Sequence, residues 1–184
     1  MAVRQLRDVT PEDAVLIPDA GNPGVWSFLW EMPVPYRYIK PVGFGNMGFA
    51  LPAAIASVSE SPDRPVLALI GDGSLGMSLG ELETLARVGG PVVVVVLNDS
   101  SYGNIRQEQV LHFNGRTVGV DFQDVDFAQV ARGMGLKGVR VTDRESLVDA
   151  VHEGFASGAP LVVDLVLDRE ANAWTYEAFT PYTG

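Results

Sequence analysis

Two short segments, Ile70-Gly71-Asp72-Gly73-Ser74 and Leu97-Asn98-Asp99-Ser100-Ser101, each stand where an apolar run of strand type ends. An intervening helix is predicted over residues 78–88. Each segment carries an aspartate at the carboxyl end of its strand, and parallel strands joined by a helix place those ends at one edge of a sheet. Open α/β sheets bind their ligands at that edge. The two segments therefore mark the predicted site.

The residues around Asp72 suit a phosphate and a metal ion. Gly71 and Gly73 allow the backbone to approach a ligand closely. The N–H groups at the start of the following helix are suited to an anion. Mg²⁺ prefers carboxylate, carbonyl and phosphate oxygens. A hard cation bound together with a phosphate is the occupant that this pattern predicts.

Composition and charge narrow the class of protein. The chain has 184 residues, 47% of them hydrophobic and 20% charged, which is typical of a globular domain. Its formal net charge of −10 argues against a nucleic-acid partner or an anionic membrane surface. The absence of cysteine excludes disulfides, thiolate zinc sites and iron–sulfur clusters in this chain. We expect one cytoplasmic domain over residues 1–184, with residues 169–184 as an aromatic C-terminal tail.

Strand and helix patterns alternate along the chain, which predicts an α/β fold: a doubly wound parallel sheet with helices on both faces. Asn22, Asp126 and Asp143 are predicted N-caps, and Val25, Phe28 and Leu29 are predicted to point inward. The predicted strands are 13–18, 36–39, 65–70, 91–97, 139–141 and 161–167. The predicted helices begin near residue 22 and cover 49–58, 78–88, 102–113, 126–135 and 143–156.

The pairing of Gly71-Asp72-Gly73 with Asn98-Asp99 resembles the diphosphate–Mg²⁺ motif of thiamine-diphosphate enzymes. The loop Gly45-Asn46-Met47-Gly48 stands where that family places the residue that bends the cofactor, and the helix carrying residues 81–85 agrees as well. The resemblance covers residues 13–168. It is strongest to the diphosphate-binding domain at the C-terminal end of the acetolactate synthase and 2-oxoacid decarboxylase group. It implies the thiamine-diphosphate-binding fold, with thiamine diphosphate and Mg²⁺ as cofactors.

The resemblance implies three metal ligands: the carboxylates of Asp72 and Asp99 and the backbone carbonyl of Ser101. Asp99 departs from the commoner asparagine. The extra negative charge should tighten the metal and oppose the phosphates.

The resemblance also implies the residues that bind the cofactor. Gly73 and Ser74 donate N–H groups to the diphosphate, which Gly21 and Asn22 approach from the first turn. Met47 supports the folded cofactor, and the carbonyl of Gly45 accepts a hydrogen bond from its amino group. The full predicted set is Gly21, Asn22, Gly45, Met47, Gly71, Gly73, Ser74 and Tyr102.

The segment that follows the metal residues faces the reactive ring in relatives. It supplies candidate lining residues: Tyr102, Asn104, Gln107, Glu108 and His112. No catalytic residue is assigned within this chain. Glu81, Glu83 and His152 are interpreted as surface side chains, and Met77 as a core residue or a lead into the helix.

The implied reaction is loss of CO₂ from a 2-oxoacid, followed by protonation or transfer of the resulting carbanion. The activating glutamate of the family belongs to a pyrimidine-binding domain, for which the sequence has no room. We therefore expect a separately encoded pyrimidine-binding subunit, in a heteromer such as a heterotetramer. Two alternatives stay open: the diphosphate-binding subunit of a 2-oxoacid oxidoreductase, and a catalytically silent cofactor-binding scaffold.

Overall fold

The computed structural model describes residues 2–30 and 37–170. Their centre is a sheet of five strands, all parallel, in the order β1-β2-β3-β5-β4. The chain therefore moves across the sheet through β1, β2 and β3, places β4 at the far edge, and returns to insert β5 beside β3. The strands are β1 Val15–Pro18, β2 Val66–Gly71, β3 Val92–Asn98, β4 Lys137–Val141 and β5 Leu161–Val166.

The central strands are apolar along their whole length because both of their faces are covered. All seven residues of β3 are buried, including its run of five valines. Such continuous apolar strands are typical of parallel sheets with helices on both sides. The register pairs Gly71 at the end of β2 with Leu97 near the end of β3. The two aspartates that follow these residues are therefore brought to the same edge.

Helices cover both faces of the sheet, which confirms the predicted doubly wound architecture. Residues of α3, α5 and α7 contribute to the core on one face, and residues of α1 and α8 to the core on the other. A short 3₁₀ helix, Ser27–Leu29, follows α2. The helices are α1 Ala2–Val9, α2 Asn22–Trp26, α3 Ala50–Glu60, α4 Asp72–Met77, α5 Glu81–Val88, α6 Gly103–His112, α7 Phe127–Gly133 and α8 Arg144–Ser157.

Two predicted N-caps are confirmed. The side chain of Asp126 accepts a hydrogen bond from the backbone N–H of Gln129 at 2.7 Å, and Asp143 accepts one from Ser146 at 3.0 Å. Each cap satisfies one of the N–H groups that the first turn of a helix leaves without an intrahelical partner. At α2 the cap is Gly21, and Asn22 is already the first residue of the helix.

The helix predicted over residues 78–88 is present as α5, with its start three residues later than expected, but helix α4 before it was not predicted. A six-residue helix, α4, starts directly at Asp72, and α5 begins only at Glu81. Glycines at positions 76 and 80 disfavour continuous helix, and the break falls over residues 78–80. The helix start next to the aspartate is therefore α4 rather than α5.

Other expectations also need correction. Phe28 and Leu29 point outward, with 67% and 46% of their surfaces exposed. Helix α1 was not predicted. Tyr38 forms a single parallel bridge with Leu16 in place of a strand, and Tyr36 lies outside the described residues. Most of the predicted tail, residues 171–184, lies outside them as well. Within the described ranges no helix is long and apolar enough to cross a membrane.

Candidate functional site

The carboxyl ends of β1, β2 and β3 border a cavity of ≈ 200 Å³, hereafter the main cavity. It lies at the sheet edge where the sequence placed the site. Every residue predicted to bind the cofactor or the metal lines it. The lining is Ala20, Gly21, Asn22, Pro23, Trp26, Gly45, Met47, Gly71, Asp72, Gly73, Ser74, Leu97, Asp99, Ser101, Tyr102, Gly103, Asn104 and Ile105.

Asp72 and Asp99 converge on one backbone N–H group. The N–H of Ser101 donates to Oδ2 of Asp72 at 3.1 Å and to Oδ1 of Asp99 at 3.1 Å. The hydroxyl of Ser101 donates to the same Asp99 oxygen at 2.8 Å. The two carboxylates are 4% and 7% exposed. Two acidic groups thus meet in a place that water hardly reaches.

This arrangement raises the pKa of Asp72 from 3.8 to about 7. Burial is the largest cause, because a charged carboxylate loses its hydration, and repulsion from Asp99 adds to it. Hydrogen bonds from the N–H groups of Gly73 and Ser101 act in the opposite direction. The ionised form of Asp72 is therefore disfavoured beside Asp99.

The oxygen atoms of Asp72, Asp99 and Ser101 are suitable ligands for a hard cation. Residues 2–30 and 37–170 contain no group of three or more histidine, aspartate or glutamate side chains that could hold a metal ion by themselves. A metal ion at this edge would be held by two carboxylates, the nearby carbonyl of Ser101, and oxygens supplied by a ligand. Oxygen-only coordination shared with a phosphate is the pattern of Mg²⁺. A divalent cation would also offset the repulsion that raises the Asp72 pKa.

Gly73 is required at its position by packing. A Cβ atom there would lie 2.6 Å from two ring carbons of Tyr102 and 3.2 Å from the ring of Phe122. These two rings pack edge to face, with centroids 4.5 Å apart. The N–H of Gly73 donates to Oδ1 of Asp72 at 2.8 Å. The aromatic pair therefore forms a wall against the turn that carries the first acid.

The other two glycine turns line the main cavity with left-handed backbone. Gly45 has a φ of 69° and Gly21 a φ of 76°, values that residues with a Cβ rarely adopt. Met47 follows Gly45 and its half-buried side chain reaches the cavity. Both loops thus bring backbone and one flexible apolar side chain to the predicted cofactor position.

Only some of the predicted lining residues reach the main cavity. Tyr102 and Asn104 line the main cavity, together with Ile105, which was not predicted. Gln107 instead lines a smaller neighbouring cavity of ≈ 80 Å³. Glu108 and His112 line neither cavity, and Oε2 of Glu108 lies 3.2 Å from Nε2 of His112 on the surface of α6. The structure does not bring these last three into the main cavity.

The side chains that were interpreted as surface residues are exposed in the structure. Glu83 pairs with Arg87 on the exposed face of α5, and His152 is exposed on α8. Glu81 is exposed at the start of α5. Met77 is 58% exposed at the end of α4, so its interpretation as a core residue was wrong.

Asp19 is a site residue that sequence reasoning missed. It is fully buried at the end of β1 and accepts hydrogen bonds from the N–H groups of Ala20 at 2.7 Å and Ala50 at 2.8 Å. It also interacts with the N–H of Gly48 and the hydroxyl of Ser74. Burial raises the pKa of Asp19. Its position after an apolar strand, like those of Asp72 and Asp99, was the available signal.

Two further residues outside the main cavity support it. Asp164 is buried in β5 and accepts hydrogen bonds from Asn98 Nδ2 at 2.9 Å and from the N–H of Phe127 at 3.1 Å. An acid inside an apolar strand was its sequence signal. Arg169 contacts the backbone of the turn that carries Asp99. The sequence around Arg169 gives no sign of this contact.

A model of the family described as thiamine pyrophosphate enzyme, C-terminal TPP binding domain, matches residues 19–165. The chain belongs to this family. The match begins at Asp19, directly after β1, and ends in β5, so it covers the four strands from β2 onward and all three turns of the main cavity. The family's description names thiamine pyrophosphate as the bound group, which supports the cofactor that the resemblance implied.

Two relatives show what the chain is similar to. The chain is 35% identical over 171 residues to the acetolactate synthase large subunit of Parasynechococcus marenigrum, covering 92% of this chain and 28% of that protein. It is 31% identical over 173 residues to the sulfoacetaldehyde acetyltransferase of Alcaligenes xylosoxydans xylosoxydans, covering 91% and 29%.

Among solved structures, the thiamine diphosphate-dependent 4-hydroxybenzoylformate decarboxylase of Rhodococcus jostii RHA1 superposes with a TM-score of 0.79 at 31% identity. The match covers 89% of this chain and 31% of that one. The chain thus spans about three tenths of the length of the proteins that it matches. It is an acetolactate synthase-like and decarboxylase-like member of the thiamine-diphosphate family.

Proposed function

We propose that this chain is the diphosphate- and metal-binding subunit of an enzyme that decarboxylates a 2-oxoacid and protonates or transfers the resulting carbanion. The observation that carries the proposal is the convergence of Asp72 and Asp99 on the Ser101 N–H, beside the Gly71–Gly73 turn, in a chain of this family. Two buried acids side by side repel each other, and a cation bound to both offsets that repulsion. A cation shared with a diphosphate would explain why the two acids lie side by side.

The residues of this chain hold the cofactor in place. Asp72, Asp99 and the carbonyl of Ser101 would bind Mg²⁺, and the N–H groups of Gly73 and Ser74 would contact the diphosphate. Gly21 and Asn22 would contact the same phosphates from the first turn, and Met47 would support the cofactor beside the Gly45 carbonyl. Bound thiamine diphosphate supplies the positively charged ring that accepts the electron pair left by departing CO₂.

We propose that a separately encoded pyrimidine-binding subunit completes the site, in a heterotetramer. Asp72 and Asp99 are the only acids in the lining of the main cavity, as far as the described residues go, and both face the metal position. The carboxylate that activates the pyrimidine ring must then come from elsewhere. Ile105 of the cavity lining is 46% exposed, and Val42 and Phe44, which precede Gly45 in its loop, are 84% and 93% exposed. Contact with a partner would cover them.

The named relatives favour decarboxylation with or without carbon–carbon bond formation. They include a synthase of acetolactate and a decarboxylase of 4-hydroxybenzoylformate. These names favour this reaction over the alternative of a 2-oxoacid oxidoreductase subunit. The retention of both Asp72 and Asp99 favours an active site over a silent scaffold. Binding of a diphosphate alone does not require two buried acids.

Reconstitution tests the proposal. The chain is purified alone and together with a candidate pyrimidine-binding subunit, and CO₂ release from a panel of 2-oxoacids is measured. We expect turnover only when thiamine diphosphate, Mg²⁺ and the partner are all present. Turnover by this chain alone would refute the need for a partner. No CO₂ release under any condition, with the cofactor demonstrably bound, would favour the scaffold.

A further inference from the structure

Arg169 lies just beyond the end of β5 and contacts the turn formed by residues 99–101, hereafter the metal loop. Its Nε donates to the carbonyl of Asp99 at 3.0 Å and its Nη2 to the carbonyl of Ser100 at 2.6 Å. Its Nη1 donates to Oδ1 of Asp121 at 3.1 Å. One planar guanidinium thus engages two successive backbone carbonyls of the metal loop.

The residue between the contacted peptide groups has an unusual conformation. Ser100 has a φ of 53°, in the left-handed region that a residue other than glycine occupies only at a cost. Hydrogen bonds from Arg169 fix the orientation of the peptide groups on both sides of Ser100. The arginine therefore stabilises the bend that turns the Asp99 side chain and the Ser101 backbone toward the main cavity.

The contacted peptide is the one that links the two acids. The peptide group between Ser100 and Ser101 accepts from Arg169 at its oxygen, and its N–H donates to both Asp72 and Asp99. The same oxygen also accepts from the N–H of Phe122 at 2.8 Å. A positively charged donor on the carbonyl polarises the peptide and strengthens its N–H as a donor. Arg169 thus acts on the two carboxylates through a single peptide group.

A ring of charges holds Arg169 in this position. Asp121 accepts from Arg169 and lies 3.3 Å from Nε of Arg106, whose Nη2 donates to Glu170 at 2.7 Å. Asp121 also forms a β-bridge with Ser101 of the metal loop. The segment that leaves β5 is thereby fastened to α6 and to the metal loop, and the guanidinium has little freedom to turn away.

We propose that Arg169 is a positioning residue for the metal site, on which the affinity for the divalent cation depends. The inference rests on the proposed function, because it takes Asp72, Asp99 and the Ser101 carbonyl as the metal ligands. Arg169 orients two of these ligands through the metal loop and does not touch the metal. Partners that orient metal ligands typically contribute about 10–100-fold to metal affinity.

The test measures Mn²⁺ binding to the full chain in the presence of thiamine diphosphate, by electron paramagnetic resonance of free Mn²⁺. Wild type is compared with Arg169→Ala and with Arg132→Ala. Arg132 is a matched control, because its Nη1 donates to the carbonyl of Gly138 at 2.7 Å, far along the chain from the metal loop. The thermal unfolding midpoint of each metal-free variant is recorded alongside.

We expect Arg169→Ala to bind Mn²⁺ roughly 10–100-fold more weakly than wild type, and Arg132→Ala to bind as wild type does. Arg169→Lys keeps the charge but has one donor nitrogen in place of the three of arginine. Its Mn²⁺ affinity should therefore lie between those of wild type and Arg169→Ala. If Arg169→Ala does not fold, the comparison of Arg169→Lys with wild type provides the test. Unchanged Mn²⁺ affinity in a folded Arg169 variant, or an equal loss in Arg132→Ala, would overturn the inference. Failure of wild type to bind Mn²⁺ would overturn the proposed metal site itself.

Discussion

Asp72 and Asp99 accept hydrogen bonds from the same backbone N–H, each at 3.1 Å, although they come from the ends of two different strands. The register of β2 on β3 brings their strand ends side by side, and burial leaves their like charges poorly screened. A divalent cation bound to both carboxylates would offset this repulsion. Metal binding, stability and pH response should consequently be coupled in this chain.

The first prediction concerns the pH dependence of stability. Because the Asp72 pKa is raised from 3.8 in the unfolded chain to about 7 in the fold, the folded state binds the proton more tightly. The metal-free protein should lose stability as pH rises from about 4 to about 7, by about 4 kcal/mol at most, and level off above that range. Chemical denaturation across this range measures it.

Asp72→Asn is the control for that prediction. Burial also raises the pKa of Asp19 and Asp164, so part of the decline should persist in the variant. The part of the stability loss that is due to Asp72 should be absent from the variant. In wild type, saturating Mg²⁺ together with thiamine diphosphate should remove the same part. A pH profile that Asp72→Asn leaves unaltered would contradict the assigned environment.

The second prediction concerns Asp99→Asn. The amide oxygen can still accept from the N–H and hydroxyl of Ser101, while the negative charge is lost. At pH 8 the metal-free variant should be more stable than wild type by at least about 1 kcal/mol, because repulsion with Asp72 disappears. Its Mn²⁺ affinity should fall about tenfold, equivalent to 1.4 kcal/mol.

Asp149→Asn supplies the comparison, since this aspartate is exposed on α8. This variant should change neither the stability at pH 8 nor the Mn²⁺ affinity. Equal stability of the Asp99 and Asp149 variants at pH 8 would mean that the two site acids do not repel each other in the fold.

The third prediction uses two glycines of α4. Gly73→Ala would place a Cβ against the Tyr102 ring, so we expect a loss of about 1–3 kcal/mol in unfolding free energy and weaker cofactor binding. Gly76→Ala meets nothing within 4 Å and should stabilise the chain by up to about 1 kcal/mol. Denaturant titrations measure the unfolding free energy of the two variants and of wild type. Equal effects would contradict the described packing of Tyr102.

The fourth prediction concerns Asp19. Asp19→Ala removes the acceptor for the N–H groups of Ala20 and Ala50, both next to the main cavity, and should cost about 2–4 kcal/mol. Asp143→Ala, the loss of an exposed cap, should cost only about 1 kcal/mol. If the two variants unfold at the same denaturant concentration, the buried carboxylate contributes no more than an ordinary cap.

Much of the architecture could be predicted because it depends on local patterns. The valine run of β3 and the caps at Asp126 and Asp143 are each determined by neighbouring residues in the chain. The acids Asp72 and Asp99 could be placed because parallel strands carry their ends to one edge. The structure brings them together with Gly21, Gly45 and Met47, as predicted.

What escaped prediction depends on contacts distant in sequence. Arg169 and the metal loop are joined only because β5 inserts beside β3, an order that the sequence does not reveal. The helix at Asp72 was missed because its glycines favour a turn locally, while the aromatic wall of Tyr102 and Phe122 packs on it. Phe28 looked like core from its position in a helical pattern, yet it lies outside under the ammonium group of Lys40, 4.1 Å from its ring centroid.

Calorimetric titration of the full chain with thiamine diphosphate, with and without Mg²⁺, tests the central claim most directly. Wild type and Asp72→Ala are compared, with Asp149→Ala as the control. The account predicts Mg²⁺-dependent binding to wild type and to the control, and none to Asp72→Ala, which lacks a metal ligand. Undiminished Mg²⁺-dependent binding by Asp72→Ala would contradict the assigned site.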